Sequence, residues 1–457
     1  MACPLPSALI DSLKSQPGFE LASFTEIHDR ADPLTSIRIN AEKGLRTFEQ
    51  QLPVQWCKQG IYLAERPLFT ADPLFHAGCY YVQEASSMFL EKALLHSIDL
   101  DQPLKVLDLC AAPGGKSTLI NSLITNDSLL VSNEIIKSRV LLLCDNLTKW
   151  GKHNTYVSSN DPKDFGRLEA YFDVLVVDAP CSGSGMFRKD PDAIKEWSEE
   201  NVNLCSQRQQ RILADVYPAL KKDGILIYST CSYSQAENEA IADWLTEEFN
   251  LESIQIPIGE EWGIVETQSP KCHNWGYRFY PNRLKGEGFF LSCFRKKEGD
   301  LNPNLKIRKQ EPVKIPANHI LEINEWLSPK SEVEIISFQD GYLAIPKGQQ
   351  NDLAILQERL YLKKSGTRLG KFAGKDFIPD HELALSLLAA KRIQRIELNR
   401  EQAISYLKKQ DIQLKSDLSG WALICFENQG LGWAKVLPNR INNYYPKEWR
   451  IVNQQIV

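Results

Sequence analysis

Between residues 104 and 231, short apolar runs alternate with longer segments whose apolar residues return every three or four positions. The runs are "LKVLDLC" (104–110), "LLVSNE" (129–134), "NTYVSSND" (154–161), "FDVLVVDAP" (172–180) and "GILIYSTC" (224–231). Each has the length of a strand, and the fourth is nearly all apolar, as a strand covered on both faces must be. "STLINSLI", "IIKSRVLLLCDNLTKWG" and "ENVNLCSQRQQRILADVYPAL" supply the helical spacing between them. Strands alternating with helices predict an α/β fold with a parallel, doubly wound, Rossmann-like sheet. In such sheets ligands bind outside the carboxyl ends of the strands. Those ends carry Asp108, Glu134, Asp161, Asp178, Cys181 and Cys231, all on one edge.

The flanks read differently. Residues 1–100 are mixed and include "SIRIN" and "YYVQEASSM". A charged, proline-bearing stretch, 298–319, reads as a linker, and residues 320–380 as a small intermediate unit. Residues 381–457 hold short β-like runs rich in Trp, Tyr and Gly, as small barrels do.

Composition narrows the class. At roughly 150 residues per domain, 457 residues suggest about three domains. A net charge of −5 argues against indiscriminate polyanion binding but leaves room for a local basic groove. Its candidates are "FRKK" (294–297), "KIRKQ" (306–310) and "LKKSGTRLGKFAGK" (362–375). Eleven cysteines are scattered singly, with no CxxC pair, so neither a disulfide framework nor a metal site is expected. The first residues lack a signal-peptide pattern, and no apolar run nears the roughly eighteen residues of a membrane span. A cytoplasmic protein without membrane contact is the expectation.

The turn "CAAPGGKS" after the first strand suits a ligand that approaches backbone N–H groups, although it matches neither a phosphate loop nor GxGxxG. Glu134, ending the second strand, can accept hydrogen bonds from both hydroxyls of a ribose, and Asp161, ending the third, can take an adenine amino group. An adenosine-containing ligand follows, with a dinucleotide and S-adenosylmethionine both open. Cys181 and Cys231 stand alone at the mouths of two strands, and a helix starts shortly after Cys231. A thiolate at such a place is a strong nucleophile. Carbon 5 of cytosine is too weak a nucleophile to attack a methyl sulfonium until a thiolate adds at carbon 6. A second group must then help remove the proton at carbon 5 and expel the thiolate. Cys231, Cys181 and Asp178 are suited to the roles of nucleophile, helper and acid bonded to the base.

"DLCAAPGGKS", "DAPCSGSGMFRKDPD", "STCSYSQAENE" and "GEGFFLSCFRK" resemble, in order, the motifs of the Nop/Sun family of RNA 5-methylcytosine methyltransferases. "FRKDPDAIKEW", "RFYPNRLKGEGFF" and the tail are similar to its RsmF-like bacterial ribosomal subgroup. The resemblance implies a methyltransferase domain over 101–297, an N-terminal accessory RNA-binding domain over 1–100 and a PUA-like RNA-binding domain over 381–457. It implies S-adenosylmethionine as cofactor, contacted by Cys110, Ala111, Ala112, Pro113, Gly114, Gly115, Lys116, Glu134, Asp161 and Asp178, with Arg139 lining the pocket. It implies Cys231 as nucleophile and Cys181 as the thiol that releases product. The expected substrate is 16S ribosomal RNA, within the 30S subunit, and neither DNA nor membrane. The expected state is a monomer. Transfer RNA as substrate, or an idle assembly factor, are the alternatives.

Overall fold

The computed structural model describes residues 4–30, 34–44, 52–300, 305, 313–412 and 418–452. The apolar runs become strands of one central sheet, numbered here in chain order. β1 is Lys105–Asp108, β2 Leu129–Asn133, β3 Thr155–Ser158, β4 Phe172–Asp178 and β5 Leu220–Thr230. β2 and β4 flank β1, β3 lies outside β2 and β5 outside β4, all parallel. Strand order therefore reverses at β1, and in sheets of this kind ligands bind beyond the strand ends at that reversal, here those of β1 and β4.

Past β5 the sheet turns antiparallel, through β6 (Glu252–Ser253), β7 (Val265–Gln268), β8 (Trp275–Phe279) and β9 (Phe289–Arg295). β9 pairs with β5, β6 and β8, and β7 closes that edge on β8. At the other edge, β10 (Leu362–Ser365) pairs antiparallel with β3. The intermediate unit thus lends a strand to the central sheet.

Helices α1 (Gly115–Leu123), α2 (Lys137–Trp150), α3 (Glu199–Val216) and α4 (Glu239–Phe249) cover the sheet. Successive strand residues face opposite ways. Val106, Leu130, Val174 and Ile225 pack with Leu119 and Ile120 of α1. Their neighbours Leu107, Val131, Leu175 and Leu226 pack with Ile212 and Leu213 of α3 and Ile241 of α4. With apolar residues needed on both faces, most of each run is apolar, which is why these strands were readable.

Among the described residues, three smaller sheets of four strands surround this core. One lies in the N-terminal region, with strands Thr35–Ile39, Leu52–Pro53, Gly60–Leu63 and Tyr80–Val82. The others are antiparallel strands between Val333 and Pro379, and a sheet between Arg395 and Asn443. The first and last share a core, in which Ile37, Ile39 and Leu63 join Ile404, Leu431 and Tyr445. Lys43 ties the junction: its buried Nζ donates to the carbonyls of Ala77 (2.7 Å), Lys149 (2.5 Å) and Leu385 (2.6 Å). No helix among the described residues is long and apolar enough to cross a membrane.

In the two basic stretches among the described residues, most of the charged side chains have local partners. Arg295 donates to the carbonyls of Asp223 and Ser97, buried Lys296 to that of Leu220, and Lys297 pairs with Glu252. Lys364 is buried against Glu382, and Arg368 and Lys371 both meet Asp340. "KIRKQ" lies outside the described residues.

Candidate active site

The turn after β1 is built to bring backbone close to a ligand. Gly114 has φ +113°, a conformation costly for any residue with a Cβ, and it stands directly before α1. A helix start leaves its first N–H groups without intrahelical partners, and these favour negative or polar ligand atoms. Ala111 and Ala112 are buried, and Cys110 is half-buried. The Ala111 N–H is tied to the Asn133 carbonyl at 2.8 Å, which joins the turn to the end of β2.

Asp108, the last residue of β1, is fully buried beneath this turn. Its Oδ2 accepts from Ser117 Oγ at 2.6 Å, and its Oδ1 has no hydrogen-bond partner among the described residues. Burial pushes its carboxyl up to about 7, with Ser117 and Lys116 opposing and Asp178 and Glu134 adding to the rise. Sequence reasoning placed Asp108 on the functional edge but gave it no role.

Glu134 is buried just past β2; its Oε1 accepts the Ile136 N–H at 2.9 Å, and its Oε2 lies 3.3 Å from Arg139 Nη1. Arg139 also donates to the Ala112 carbonyl at 2.6 Å, so it braces the turn against α2. Asp161 caps the short turn Pro162–Arg167, taking the Lys163 N–H at 3.1 Å. The turn, Glu134 and Asp161 follow the adjacent strands β1, β2 and β3. A buried acid with one unpartnered oxygen at the base, a helix start after a glycine turn and carboxylates beyond the next two strands fit an adenosyl sulfonium carrying an amino acid.

On the other side of the switch point, Asp178 ends β4, with Oδ1 accepting from Ser229 Oγ at 2.8 Å. Its Oδ2 meets Lys116 Nζ at 2.8 Å. Burial penalises the Lys116 ammonium, but Asp178 outweighs this and raises its pKa, with Asp108 and Cys231 acting the same way. The Phe289 ring sits 5.1 Å from Lys116 Nζ.

The two thiols meet. Cys181 Sγ and Cys231 Sγ are 3.2 Å apart, at the ends of β4 and β5. The hydrogen bond to Cys231 holds the Cys181 thiol well above its usual range, and burial adds to it. Glycines let the loops close: a Cβ on Gly185 would lie 2.5 Å from the Gly288 carbonyl oxygen and 2.8 Å from that of Cys231.

Some contributors went unrecognised. Ser182 and Ser232, each next to a cysteine, and Glu237 form a buried network behind the thiols. The signal was the serine after each cysteine and the first acid of "ENE".

The family model described as "16S rRNA methyltransferase RsmB/F" matches residues 95–295. Models for the "N-terminal domain of 16S rRNA methyltransferase RsmF" and the "Methyltransferase RsmF PUA domain" match residues 5–85 and 393–451. Ribosomal RNA small subunit methyltransferase F of Aliivibrio fischeri is 31% identical, with 90% of each chain covered. Its Escherichia coli counterpart is 29% identical over 87% of this chain and 84% of its own. Among solved structures, a methyltransferase homologue from Pyrococcus horikoshii is 27% identical with a TM-score of 0.51, covering 64% of this chain and all of that one (100%).

Proposed function

This chain belongs to the RsmB/F family of 16S rRNA methyltransferases, and from that premise we propose that it methylates carbon 5 of a cytosine in small-subunit ribosomal RNA. S-adenosylmethionine is the donor, and when bound it supplies an electrophilic methyl group on a sulfonium. The turn Cys110–Lys116, Asp108, Glu134 and Asp161 would hold it, beside Asp178.

The observation that carries this reading is the thiol pair. One sulfur 3.2 Å from another, at the switch point and beside the Lys116–Asp178 pair, gives one cysteine a neighbour able to carry a proton. Cys231 adds as thiolate to carbon 6 of the cytosine. The Lys116–Asp178 pair offers a donor and an acceptor to the polar edge of the base. After methyl transfer Cys181, as base, takes the proton from carbon 5; the electron pair of that bond re-forms the double bond, and the carbon–sulfur bond breaks so that Cys231 leaves as thiolate. The base has to leave its stack first, which costs a few kcal/mol and least where it is weakly paired.

The substrate is the 30S particle or its 16S RNA, bound by one copy of the chain in the cytoplasm. Cys231→Ala is expected to abolish both turnover and the covalent trap with 5-fluorocytosine-containing RNA. Cys181→Ala is expected to accumulate a stable protein–RNA adduct. The reverse pattern exchanges the two roles. Tritium transfer into 30S particles, 16S RNA and bulk transfer RNA from cells lacking the gene locates the substrate, and equal labelling of transfer RNA would overturn the ribosomal assignment.

A further inference from the structure

Behind the two cysteines lies a carboxylate that touches neither of them. Glu237 is fully buried in the short turn Gln235–Glu237 that precedes α4. Its Oε1 accepts the Ser182 N–H at 2.7 Å, and its Oε2 accepts the hydroxyls of Ser182 at 2.6 Å and Ser232 at 2.5 Å. Those serines follow Cys181 and Cys231 directly, and their hydroxyl oxygens are 3.2 Å apart. One side chain thus holds both cysteine loops, each at the residue beside the sulfur.

A carboxylate buried without a cation is costly and persists only when its lone pairs are satisfied. Here one backbone and two hydroxyl donors do so, drawn from two segments fifty residues apart. The arrangement contributes little as packing that an apolar side chain would not. What it adds is a fixed distance between the loops.

We propose that Glu237 is a positioning residue for methyl transfer, setting the separation and register of the two thiols without touching RNA or cofactor. Its charge also lies where it disfavours ionisation of Cys181. The inference rests on the thiol roles proposed above.

The test uses the full chain and two readouts. In rRNA methylation, Glu237→Gln replaces one acceptor oxygen with an N–H donor that faces the serine hydroxyls. kcat is expected to fall on the order of tenfold to a hundredfold, while KM for RNA and cofactor affinity stay within about threefold. The second readout needs no RNA. Diamide oxidises the two thiols to a disulfide: an S–S bond forms, and the azo group gains both protons and both electrons to become a hydrazine. In the wild type Cys181 and Cys231 should couple rapidly, seen by mass spectrometry as one cross-linked peptide pair. In Glu237→Gln that rate should fall on the order of tenfold. A residue serving only stability would lower the melting temperature and leave both rates, per folded molecule, unchanged. Wild-type kcat together with wild-type coupling in folded Glu237→Gln overturns the proposal. Should that variant fail to fold, Ser182→Ala and Ser232→Ala each remove one donor and are expected to slow both rates by a smaller factor; unchanged rates in both overturn it equally. If the wild type itself transfers no methyl to rRNA, the coupling rates still decide the positioning claim, so the two failures remain distinct.

Discussion

Burial lifts the Asp108 carboxyl to about 7. Its folded value of about 7 stands above the unfolded 3.8, so the folded chain holds a proton that the unfolded chain gives up across that window. The associated stability is full below about 3.8 and is lost as pH rises through about 7. A cationic cofactor reverses the preference, because it favours the ionised acid. Cofactor affinity is therefore expected to weaken as pH falls from about 8 to about 6, and Asp108→Asn should flatten that dependence and lower the affinity. Calorimetry across this range in several buffers checks both the slope and the proton release. Lys116, Asp178 and Glu134 face the same group and will modulate the midpoint. Glu134→Gln and Asp161→Asn should each weaken cofactor binding by about 1.5–3 kcal/mol while RNA affinity changes little. Of these residues, Glu134 and Asp161 were legible because each follows a strand in a turn, where an acid has no packing role. Glu237 was not, since a buried acid in a helix-leading turn looks in sequence like an ordinary cap.

At the scale of elements, the five parallel strands were legible for a simple reason. In β1, β4 and the second half of β5 most residues face apolar neighbours on both sides, so those runs are largely apolar. The antiparallel strands β7 to β9 were hidden, because "VETQ" is half-exposed and "FFLSCFR" was read as a motif. β10 was hidden for another reason: "LKKS" looks like a basic surface run until Lys364 is seen buried on Glu382. The close approach of the two cysteine loops to the start of β9 depends on glycine at 185 and 288. Added methyl groups there meet backbone or the Tyr233 ring at about 2.4–2.5 Å, which a rigid neighbour cannot absorb. Gly185→Ala and Gly288→Ala should each cost about 1–3 kcal/mol in denaturant unfolding. They should reduce turnover far more than cofactor affinity, as parallel calorimetry and methylation assays would register.

For the molecule as a whole, the appended sheets are not beads on a string. Lys43→Met leaves three backbone carbonyls, from Ala77, Lys149 and Leu385, without their donor. A loss of about 2–4 kcal/mol is expected, read as an earlier denaturant midpoint. A chain ended at residue 315 looks from sequence like an intact catalytic unit that keeps its cofactor. The structure gives a different expectation, because that cut removes β10 from β3 and uncovers Ile37, Ile39 and Leu63. Such a fragment should be poorly soluble and weak in cofactor binding, as sedimentation and calorimetry would reveal.

The shared core has a consequence during synthesis. The strands between Thr35 and Val82 emerge roughly three hundred residues ahead of Ile404, Leu431 and Tyr445, which cover their apolar side. At about 5–20 residues per second the ribosome needs on the order of tens of seconds to close that gap. Throughout that interval the nascent chain carries an uncovered sticky surface. A member of a ribosomal RNA methyltransferase family is thus, while being made on a ribosome, itself suited to a holding chaperone.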